Sequence, residues 1–350
     1  MLDALPKLRL TTAKEPRGVS TTMPPPGYTL PPTQETNDVT KQNQPQIHPC
    51  PCGLCAAHRQ ELEYRLQWIF DFMTNTKQDS NQFKETISKL NRGELQRIAS
   101  LMTSDSDCFM AIARNEQGSK RMQKLLGKTD DVDGLFYAVI VRLFPTVMTD
   151  KNASHVAVRA MRVFDGVKKD YMCQLILHHA LGLASDQHGC VAFNEILTDL
   201  DHPYYRNELL EVVVHNALSL SNDAYGNFVI QHVLKLNDLY CTNTIAIRLR
   251  GHCADLSLRK HGSYIVERLL EAEESMVLVV EDLLECEKDK LMRLARSDCG
   301  NFVVAKALTI TKVSRVDLFM GLVHKLMPFV GLLRKPYRGS NIAAILDSVW

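Results

Sequence analysis

The chain has 350 residues, of which 45% are apolar, enough for one large domain or a long array of repeats. Its formal net charge is +1, so the overall charge does not indicate a nucleic-acid partner. The N-terminus lacks the apolar core of a secretory signal, and we expect no apolar run of the ~18 residues that a membrane span needs. The ten cysteines are therefore interpreted as reduced thiols of a cytoplasmic protein that does not bind a membrane.

The composition changes sharply near residue 59. Ten of the 14 prolines lie between Pro6 and Pro51, and Tyr28 is the only aromatic residue before His58. Such a stretch buries too little apolar surface to offset the entropy of the chain. We therefore predict that residues 1–58 are a disordered, proline-rich N-terminal region.

The run "HPCPCGLCAAH" at residues 48–58 places His48, Cys50, Cys52, Cys55 and His58 close together. Thiolate and imidazole groups are zinc ligands, but this spacing lacks the second pair of ligands of the usual sites. We interpret the run as a linker with incidental cysteines, and a zinc site is the less favoured alternative. No metal or cofactor is expected.

From residue 59 onward the apolar pattern predicts helices throughout. Residues 59–91 are interpreted as an N-terminal helical cap or a degenerate repeat. Residues 92–350 contain seven related segments, spaced by 35 to 39 residues, each with a small marker residue before an amphipathic helix. The markers are Gly118, Ala153, Gly189, Gly226, Gly262, Gly300 and Gly339. A period in this range is typical of a solenoid, because one unit cannot bury its apolar face alone.

The fourth segment shows how a unit would pack. Its first helix carries an apolar stripe that includes Leu209, Leu210, Val213 and Val214, and Asn222 or Asp223 can cap the helix that follows. The buried side of this second helix would hold Val229, Ile230, Val233 and Leu234. Gly226 in its first turn weakens the helix, so close helix packing is the expected reason for it. The fold class expected from these units is an α-solenoid.

The second helices leave a regular set of residues that the core does not need. Asn227 and Gln231 are four positions apart, so we expect them to share an exposed face with Phe228 between them. The next unit has Ser263, Tyr264 and Glu267 at the same positions. An aromatic ring beside a polar pair suits one nucleobase per unit, because the ring stacks while the polar groups test the edge of the base.

Three second helices, "YGNFVIQHVLK", "HGSYIVERLLE" and "CGNFVVAKAL", resemble consecutive recognition helices of the Pumilio (PUF) family. The final "RGSNIAAILDSVW" resembles the C-terminal capping half-repeat of that family, and the cap would begin at about residue 314. The resemblance covers residues 92–350, weakens toward the N-terminus and suggests a divergent member of the plant-like branch. It implies an all-α, right-handed crescent of three-helix repeats that binds single-stranded RNA antiparallel on its concave face.

Hydrogen-bond chemistry gives the expected base preferences. An ionised Glu267 only accepts hydrogen bonds, and guanine offers two adjacent donors on its Watson–Crick edge. Glu267 with Ser263 should therefore bind guanine, as the family's code also implies. Asn227 and Gln231 carry amides that match uracil, and Phe228 and Tyr264 should stack between bases.

The remaining units match the family pattern less completely. Asn301 and Phe302 begin a uracil-type set, but Ala305 stands where the family usually has Gln, so selectivity should be relaxed there. The unmatched sets toward the N-terminus are Cys190, Val191 and Asn194, which lack a stacking ring and the Gln, and Ser154, His155 and Val158, which lack the fifth-position group. Ser119, Lys120 and Gln123 suit adenine, with Lys120 in the stacking place.

Basic side chains on or near these helices are candidates for phosphate contacts, with a solvated helix surface as the alternative. They are Lys120, Arg121, Lys124, Arg159, Arg162, Lys260, Arg268 and Lys306. No nucleophile elbow, phosphate-binding loop or metal-binding helix motif accompanies the twelve histidines, so an enzyme is not expected.

The resemblance implies a monomeric post-transcriptional regulator that binds UGU-core elements in mRNA 3′ untranslated regions. It would repress translation or promote mRNA decay with deadenylase or translational repressor proteins as partners. Two alternatives stay open. The first is an α-solenoid scaffold for protein interactions that has lost RNA binding. The second is a nonspecific binder of structured or ribosomal RNA.

Overall fold

The computed structural model describes residues 53–77, 79–334 and 337–349, and every regular element within them is a helix. Of the segment predicted to be disordered, residues 1–52 lie outside the described residues, and the first helix begins at Gly53. His48, Cys50 and Cys52 of the cysteine run also lie outside them. The zinc alternative therefore stays a prediction. The seven cysteines from Cys108 to Cys299 are free thiols.

Seven units follow one another, and each opens with a helix that we call its first helix. From α9 onward each first helix packs on the next one along the chain, and α3 packs on α6. The first helices are α3 (Arg92–Thr103), α6 (Asp130–Arg142), α9 (Gly166–Ala184), α11 (Pro203–His215), α14 (Leu239–Arg248), α17 (Glu273–Glu285) and α20 (Val316–Leu326).

Each unit ends with a helix that starts at or near the marker residue, which we call its marker helix. Every marker helix packs on the marker helix of the next unit, so the seven form one continuous row. They are α5 (Glu116–Leu125), α8 (Ser154–Val163), α10 (Gly189–Asp199), α13 (Gly226–Lys235), α16 (Lys260–Leu269), α19 (Gly300–Ser314) and α22 (Ser340–Asp347).

Short middle helices connect the first helix to the marker helix in six of the units. They are α4 (Ser106–Arg114), α7 (Phe144–Met148), α12 (Ala217–Asn222), α15 (Cys253–Ser257), α18 (Lys288–Arg296) and α21 (Val330–Leu333). In the third unit the 19-residue α9 extends over the place of the middle helix. Stacked two- and three-helix units with one shared core form an α-solenoid, which confirms the predicted fold class.

The marker glycines lie where a marker helix crosses the end of the segment before it. A Cβ at Gly262 would be 2.3 Å from the carbonyl oxygen of Leu256, and one at Gly118 would be 2.1 Å from that of Ile112. At all six marker glycines the nearest obstacle belongs to the residue six positions earlier. Close packing is therefore the reason for the glycine, as the sequence predicted.

Side chains just before the marker helices turn the chain into them. Asp223 accepts hydrogen bonds from the backbone N–H groups of Tyr225 and Gly226, at 2.9 and 2.7 Å, so Asp223 rather than Asn222 supplies the cap. Other units use an equivalent side chain, which is Asn115, Asp150, Asp186 or Ser297. These bonds satisfy N–H groups that the first turn of a helix leaves without intrahelical partners.

The core runs without interruption from Ile69 in α1 (Gly53–Thr74) to Leu346 in α22. The apolar residues predicted for the fourth unit are buried, with Val229, Ile230 and Val233 completely inaccessible. Each unit alone would expose one side of this core. The repeats are therefore stable as a stack and not as single repeats.

One apolar stretch is longer than the sequence analysis expected. Val316–Leu333 spans 18 residues with a mean hydropathy of 1.6, so by length and composition it could cross a membrane. It is broken by a 3₁₀ turn at Met327–Phe329, which contains Pro328, and α20 packs on α17 and α19. The packing of the last unit buries 33% of the stretch, including Leu322, Val323 and Leu326.

Arg121 of α5 joins the first of the seven units to the N-terminal helices through hydrogen bonds. Its side chain is 2% exposed, and its Nη1 and Nη2 each donate a 2.6 Å hydrogen bond, to the carbonyl oxygens of Phe72 and Asn75. The guanidinium also lies 4.8 Å from the ring centre of Phe83. The expectation that Arg121 contacts phosphate is therefore wrong, because this cation neutralises carbonyls at the end of α1.

Candidate nucleic-acid interface

On α13 the structure brings Asn227, Phe228 and Gln231 together but at different depths. The Phe228 ring is 43% exposed, whereas Asn227 is 1% exposed, so the expectation that Asn227 shares the exposed face is wrong. The reason is that Asn227 Nδ2 donates to the carbonyl oxygens of Asp223 and Ala224, at 2.9 and 3.0 Å. Gln231 Nε2 donates to Asn227 Oδ1 at 3.1 Å. Asn227 therefore holds the turn and orients Gln231, which reaches the surface.

On α16 the set has the same arrangement. Ser263 is buried, and its hydroxyl donates to the carbonyl oxygen of Lys260 at 3.0 Å. Tyr264 is half exposed, and Glu267 is partly buried beside it. Burial raises the pKa of the Glu267 carboxyl above its ordinary value, Lys306 opposes that rise, and the negative charge of Glu271 adds to it.

On α19 the set is incomplete, as the sequence indicated. Asn301 is nearly buried and donates to the carbonyl oxygens of Ser297 and Asp298, at 2.7 and 3.1 Å, in the manner of Asn227. Phe302 is 60% exposed. Ala305 is buried and offers no polar group. This unit therefore has a ring that can stack, Phe302, and only one of the two polar side chains expected to contact the edge of a base, Asn301.

The two positions that follow the marker residue have the same burial in every marker helix from α5 to α19. The residue after the marker is buried in every unit, and the next residue is exposed: Lys120, His155, Val191, Phe228, Tyr264 and Phe302. Packed helices lie about 8–10 Å apart. The rings on α13, α16 and α19 are therefore about one helix spacing apart, a separation that suits one flat group between neighbouring rings.

The two N-terminal sets differ in what they present. Ser119 donates to the carbonyl oxygen of Asn152 in the next unit at 2.7 Å, and Gln123 Nε2 donates to the Ser119 hydroxyl at 3.2 Å. Lys120 is exposed and binds Glu116 at 2.6 Å. In the second set, Ser154 is buried, the exposed His155 lies 3.9 Å from Glu195, and Val158 is buried in the core.

The third unit offers a poor surface for a base. Cys190 is buried, which raises the pKa of its thiol, and its Sγ contacts the carbonyl oxygen of Gln187. Val191 occupies the stacking position and is 51% exposed. Among the described side chains, the buried Oδ1 of Asn194 has no hydrogen-bond partner. This unit therefore presents an aliphatic side chain in place of a ring, and the oxygen of its amide is buried.

Residues 59–91, interpreted from the sequence as a helical cap or a degenerate repeat, contain the marker helix of an eighth unit that precedes these seven. Asp79 forms a capping box at the start of α2 (Ser80–Ser88), 36 residues before the equivalent Asn115, and α2 packs on α5 as a further marker helix. Its counterparts of Ser119 and Gln123 are Phe83 and Ile87, and both are buried. The capping residue was the available signal, because Gln82 replaces the marker glycine.

Most candidate phosphate contacts are already bound within the protein. Lys124 Nζ donates to the carbonyl oxygen of Ser80 at 2.7 Å, and Arg268 Nη2 donates to Asn237 Oδ1 at 2.9 Å. Arg159 is partly buried, and Lys260 is exposed. The basic side chains therefore do not form a dense positive surface, in keeping with the neutral composition.

Neighbouring marker helices are also joined by polar pairs, which we call the inter-repeat ladder. Each pair joins the ninth residue after one marker to the sixth residue after the next marker. The pairs are Arg162 with Glu195 at 3.5 Å, Thr198 with His232 at 2.9 Å, and Glu271 with Lys306 at 2.8 Å. Arg162 Nε additionally donates to Asp199 at 2.8 Å.

Comparison with known proteins agrees with this geometry. A family model described as the Pumilio-family RNA binding repeat matches residues 179–203, 216–238 and 252–276. Pumilio homolog 18 of Arabidopsis thaliana is 53% identical over 348 residues, which is 99% of this chain and 95% of the homolog. Putative pumilio homolog 19 of the same plant is 60% identical over 280 residues, which is 80% of this chain and 85% of that homolog.

Solved structures show the same fold. The Puf4 RNA binding domain bound to HO endonuclease RNA 3′ UTR recognition sequence superposes with a TM-score of 0.69 at 20% identity, covering 83% of this chain and 91% of that one. The RNA-binding domain of yeast Puf5p bound to SMX2 RNA gives a TM-score of 0.63 at 16% identity, covering 86% and 90%. The repeats, the fold and the curated relatives together show that the chain belongs to the Pumilio family of non-enzymatic repeat proteins, in the branch of these Arabidopsis homologs.

Proposed function

We propose that this protein is a sequence-specific single-stranded RNA-binding protein that recognises a UGU core. The observation that carries the proposal is the row of exposed rings, Phe228, Tyr264 and Phe302, on three consecutive marker helices. Gln231 and Glu267 lie beside two of these rings with edge-contacting groups. The description of the family model as an RNA-binding repeat supports RNA as the ligand class.

The order of bases follows from antiparallel binding. α19 would take the 5′ base with relaxed preference for uracil, α16 would take guanine and α13 would take the 3′ uracil. At α10 the exposed side chain is Val191, so we expect little preference for adenine after the UGU core. α5, with Ser119, Lys120 and Gln123, would contact a base farther toward the 3′ side.

The cellular role that fits such an activity is post-transcriptional regulation. The protein would act as a cytoplasmic monomer on mRNA 3′ untranslated regions and would repress translation or promote decay through recruited proteins. Support comes from the family and from the RNA in the Puf4 complex, which is named as a 3′ UTR recognition sequence.

A scaffold that has lost RNA binding is the second candidate. The observation that favours it is the loss of edge-contacting groups at several marker helices, where Val158, Ala305 and Ile87 are buried apolar residues. A nonspecific binder of structured or ribosomal RNA is a separate candidate, which keeps RNA binding, although the internally bound basic side chains do not favour it.

The deciding experiment measures the affinity of the full chain for a short fluorescent RNA that contains UGUA, at fixed salt. The comparison RNA carries C in place of G. The variants are Glu267→Gln and, as a matched control for the same change of charge, Glu273→Gln at the exposed start of α17. We expect a preference for G in the wild type and the control, and its loss in Glu267→Gln.

Each other outcome points to one alternative. Equal, salt-sensitive binding to both RNAs would indicate the nonspecific binder. Binding to neither RNA at micromolar protein would favour the scaffold and contradict the proposal.

A further inference from the structure

Lys306 of α19 reaches across the repeat boundary to the carboxylate of Glu271, in the turn that follows α16. Its Nζ lies 2.8 Å from Glu271 Oε1, and its side chain is 28% exposed, so it lies along the protein surface rather than extending into solvent. Glu271 lies in the turn directly after α16, four residues along the chain from Glu267, and α16 packs on α19. The contact therefore holds a positive charge close to the carboxyl that is proposed to bind guanine, in agreement with the electrostatic effect of Lys306 on Glu267.

Two features of the site disfavour a charge on Glu267. Its partial burial removes water from the carboxylate, and Glu271 adds like-charge repulsion, so the pKa of Glu267 is raised. Among the described residues, Lys306 is the cation whose charge opposes both. Its 2.8 Å contact with Glu271 in the inter-repeat ladder holds the ammonium in that place.

Other charged groups on the elements around α16 are directed elsewhere. On α13, His232 contacts Thr198, and Lys235 is exposed near the end of the helix. On α15, Asp255 binds Lys290. On α16 itself Lys260 is exposed at the first turn and Arg268 binds Glu271. On α17, Glu274 binds Asn243, Glu281 and Glu285 bind Arg250, and Asp282 accepts from the N–H groups of Gly251 and Cys253. Glu273 at the start of α17 is exposed. On α19, Lys312 binds Ser348.

We propose, on the basis of the proposed function, that Lys306 is a positioning residue for guanine recognition. Anchored by Glu271, it keeps the Glu267 carboxyl in the ionised form, which only accepts hydrogen bonds. The unit with no edge-contacting group of its own, at Ala305, thus supports base recognition by the unit before it.

The protonation state of Glu267 determines which base edge it matches. An ionised carboxylate accepts from both N1–H and N2–H of guanine, whereas a protonated carboxyl has one donor and one acceptor and suits the edge of adenine. The preference for guanine is therefore lost as the pH falls through the pKa of Glu267. Without Lys306 that pKa rises further, so the loss occurs at a higher pH.

The test measures, with the full chain, the ratio of Kd values for RNA containing UGUA and RNA containing UAUA. The ratio is followed from about pH 4 to about pH 8, a range that begins near the ordinary pKa of a glutamate and extends well above it. The variants are Lys306→Met, Lys306→Arg, and Arg268→Met, which removes a different cation from the same Glu271. Circular dichroism at each pH verifies that the variants are folded.

The expected result is a change in the pH profile. In Lys306→Met the guanine preference should fall about tenfold at the acid end of the range, with its midpoint displaced to higher pH. Lys306→Arg should restore the wild-type profile, and Arg268→Met should leave it unchanged.

The inference and the proposed function fail in distinguishable ways. A wild type without preference for UGUA over UAUA contradicts the proposed function, and the inference with it. A wild type that prefers guanine, together with a Lys306→Met variant of unchanged profile, overturns only the inference. Equal weakening of both RNAs by Lys306→Met also overturns it, because it would identify Lys306 as a phosphate contact.

Discussion

Replacing Gly262 with Ala tests whether the marker glycines are required by close packing. The added Cβ would lie 2.3 Å from the Leu256 carbonyl oxygen and 2.8 Å from its carbonyl carbon. An ordinary contact requires α16 to move away from α15 by about 1 Å, and overpacking of this kind costs about 1–3 kcal/mol. Since both groups are backbone atoms, no side-chain rotation can relieve the contact.

Gly182→Ala is the matched control. Gly182 is exposed inside α9, and a Cβ there would meet nothing within 4 Å. The same substitution should therefore stabilise the protein by about 0.5–1 kcal/mol, because Ala loses less backbone entropy in a helix. The two variants should differ by about 1.5–4 kcal/mol, with opposite signs relative to the wild type.

Urea unfolding followed by circular dichroism at 222 nm, the usual wavelength for helix, provides the measurement, with the midpoint as the readout. Gly262→Ala should unfold at lower urea than the wild type and Gly182→Ala at higher urea. If Gly262→Ala were as stable as Gly182→Ala, the close approach to Leu256 would not explain the glycine, and the repeat period would need another cause.

Three further substitutions test other contacts. Phe302→Ala should weaken RNA binding by about 1–3 kcal/mol through lost stacking, while Val313→Ala, an exposed change on the same helix, should not; equal effects in a titration would contradict a stacking role. Arg121→Met should lower the free energy of unfolding by about 2–4 kcal/mol, because two carbonyls at the end of α1 lose a charged donor; an unchanged urea midpoint would refute this. Because the pKa of Glu267 is raised above 4.5, the stability that this carboxyl contributes is present below that pH and is lost as the pH rises through the folded-state pKa. Glu267→Gln should therefore match the wild type in acid and slightly exceed its urea midpoint near neutral pH, and a lower midpoint at neutral pH would contradict the burial argument.

The repeat architecture was predictable because one physical requirement recurs at each unit. Six glycines meet the same obstacle six residues earlier, so the same residue type returns at a constant interval. The exposure of Phe228, Tyr264 and Phe302 followed from the same register. Periodicity locates a residue on a helix face, and that was sufficient for these positions.

How deeply a side chain is buried, and which distant residues it contacts, could not be predicted from the periodicity. The spacing of Asn227 and Gln231 shows that they share a face, but not that Asn227 donates to the turn before its own helix and is buried there. Arg121 resembles a surface cation in sequence, and its two acceptors lie 46 and 49 residues earlier. The sequence did not distinguish a helical cap from a degenerate repeat at residues 59–91, because Gln82 replaces the marker glycine there and only the cap at Asp79 remains.

The inter-repeat ladder limits how freely the units of this protein could be exchanged. Each rung uses a different chemistry: a cation with carboxylates at Arg162, a hydroxyl with an imidazole at Thr198, and a carboxylate with an ammonium at Glu271. Moving the unit of α16 beside that of α10, for instance, would set Arg268 against Thr198 and leave Glu271 without its lysine. A unit transplanted to bind a different base would therefore lack the matching polar partner on its new neighbour. Redesign of RNA specificity in this chain is better attempted by substituting edge-contacting residues in place than by shuffling whole repeats.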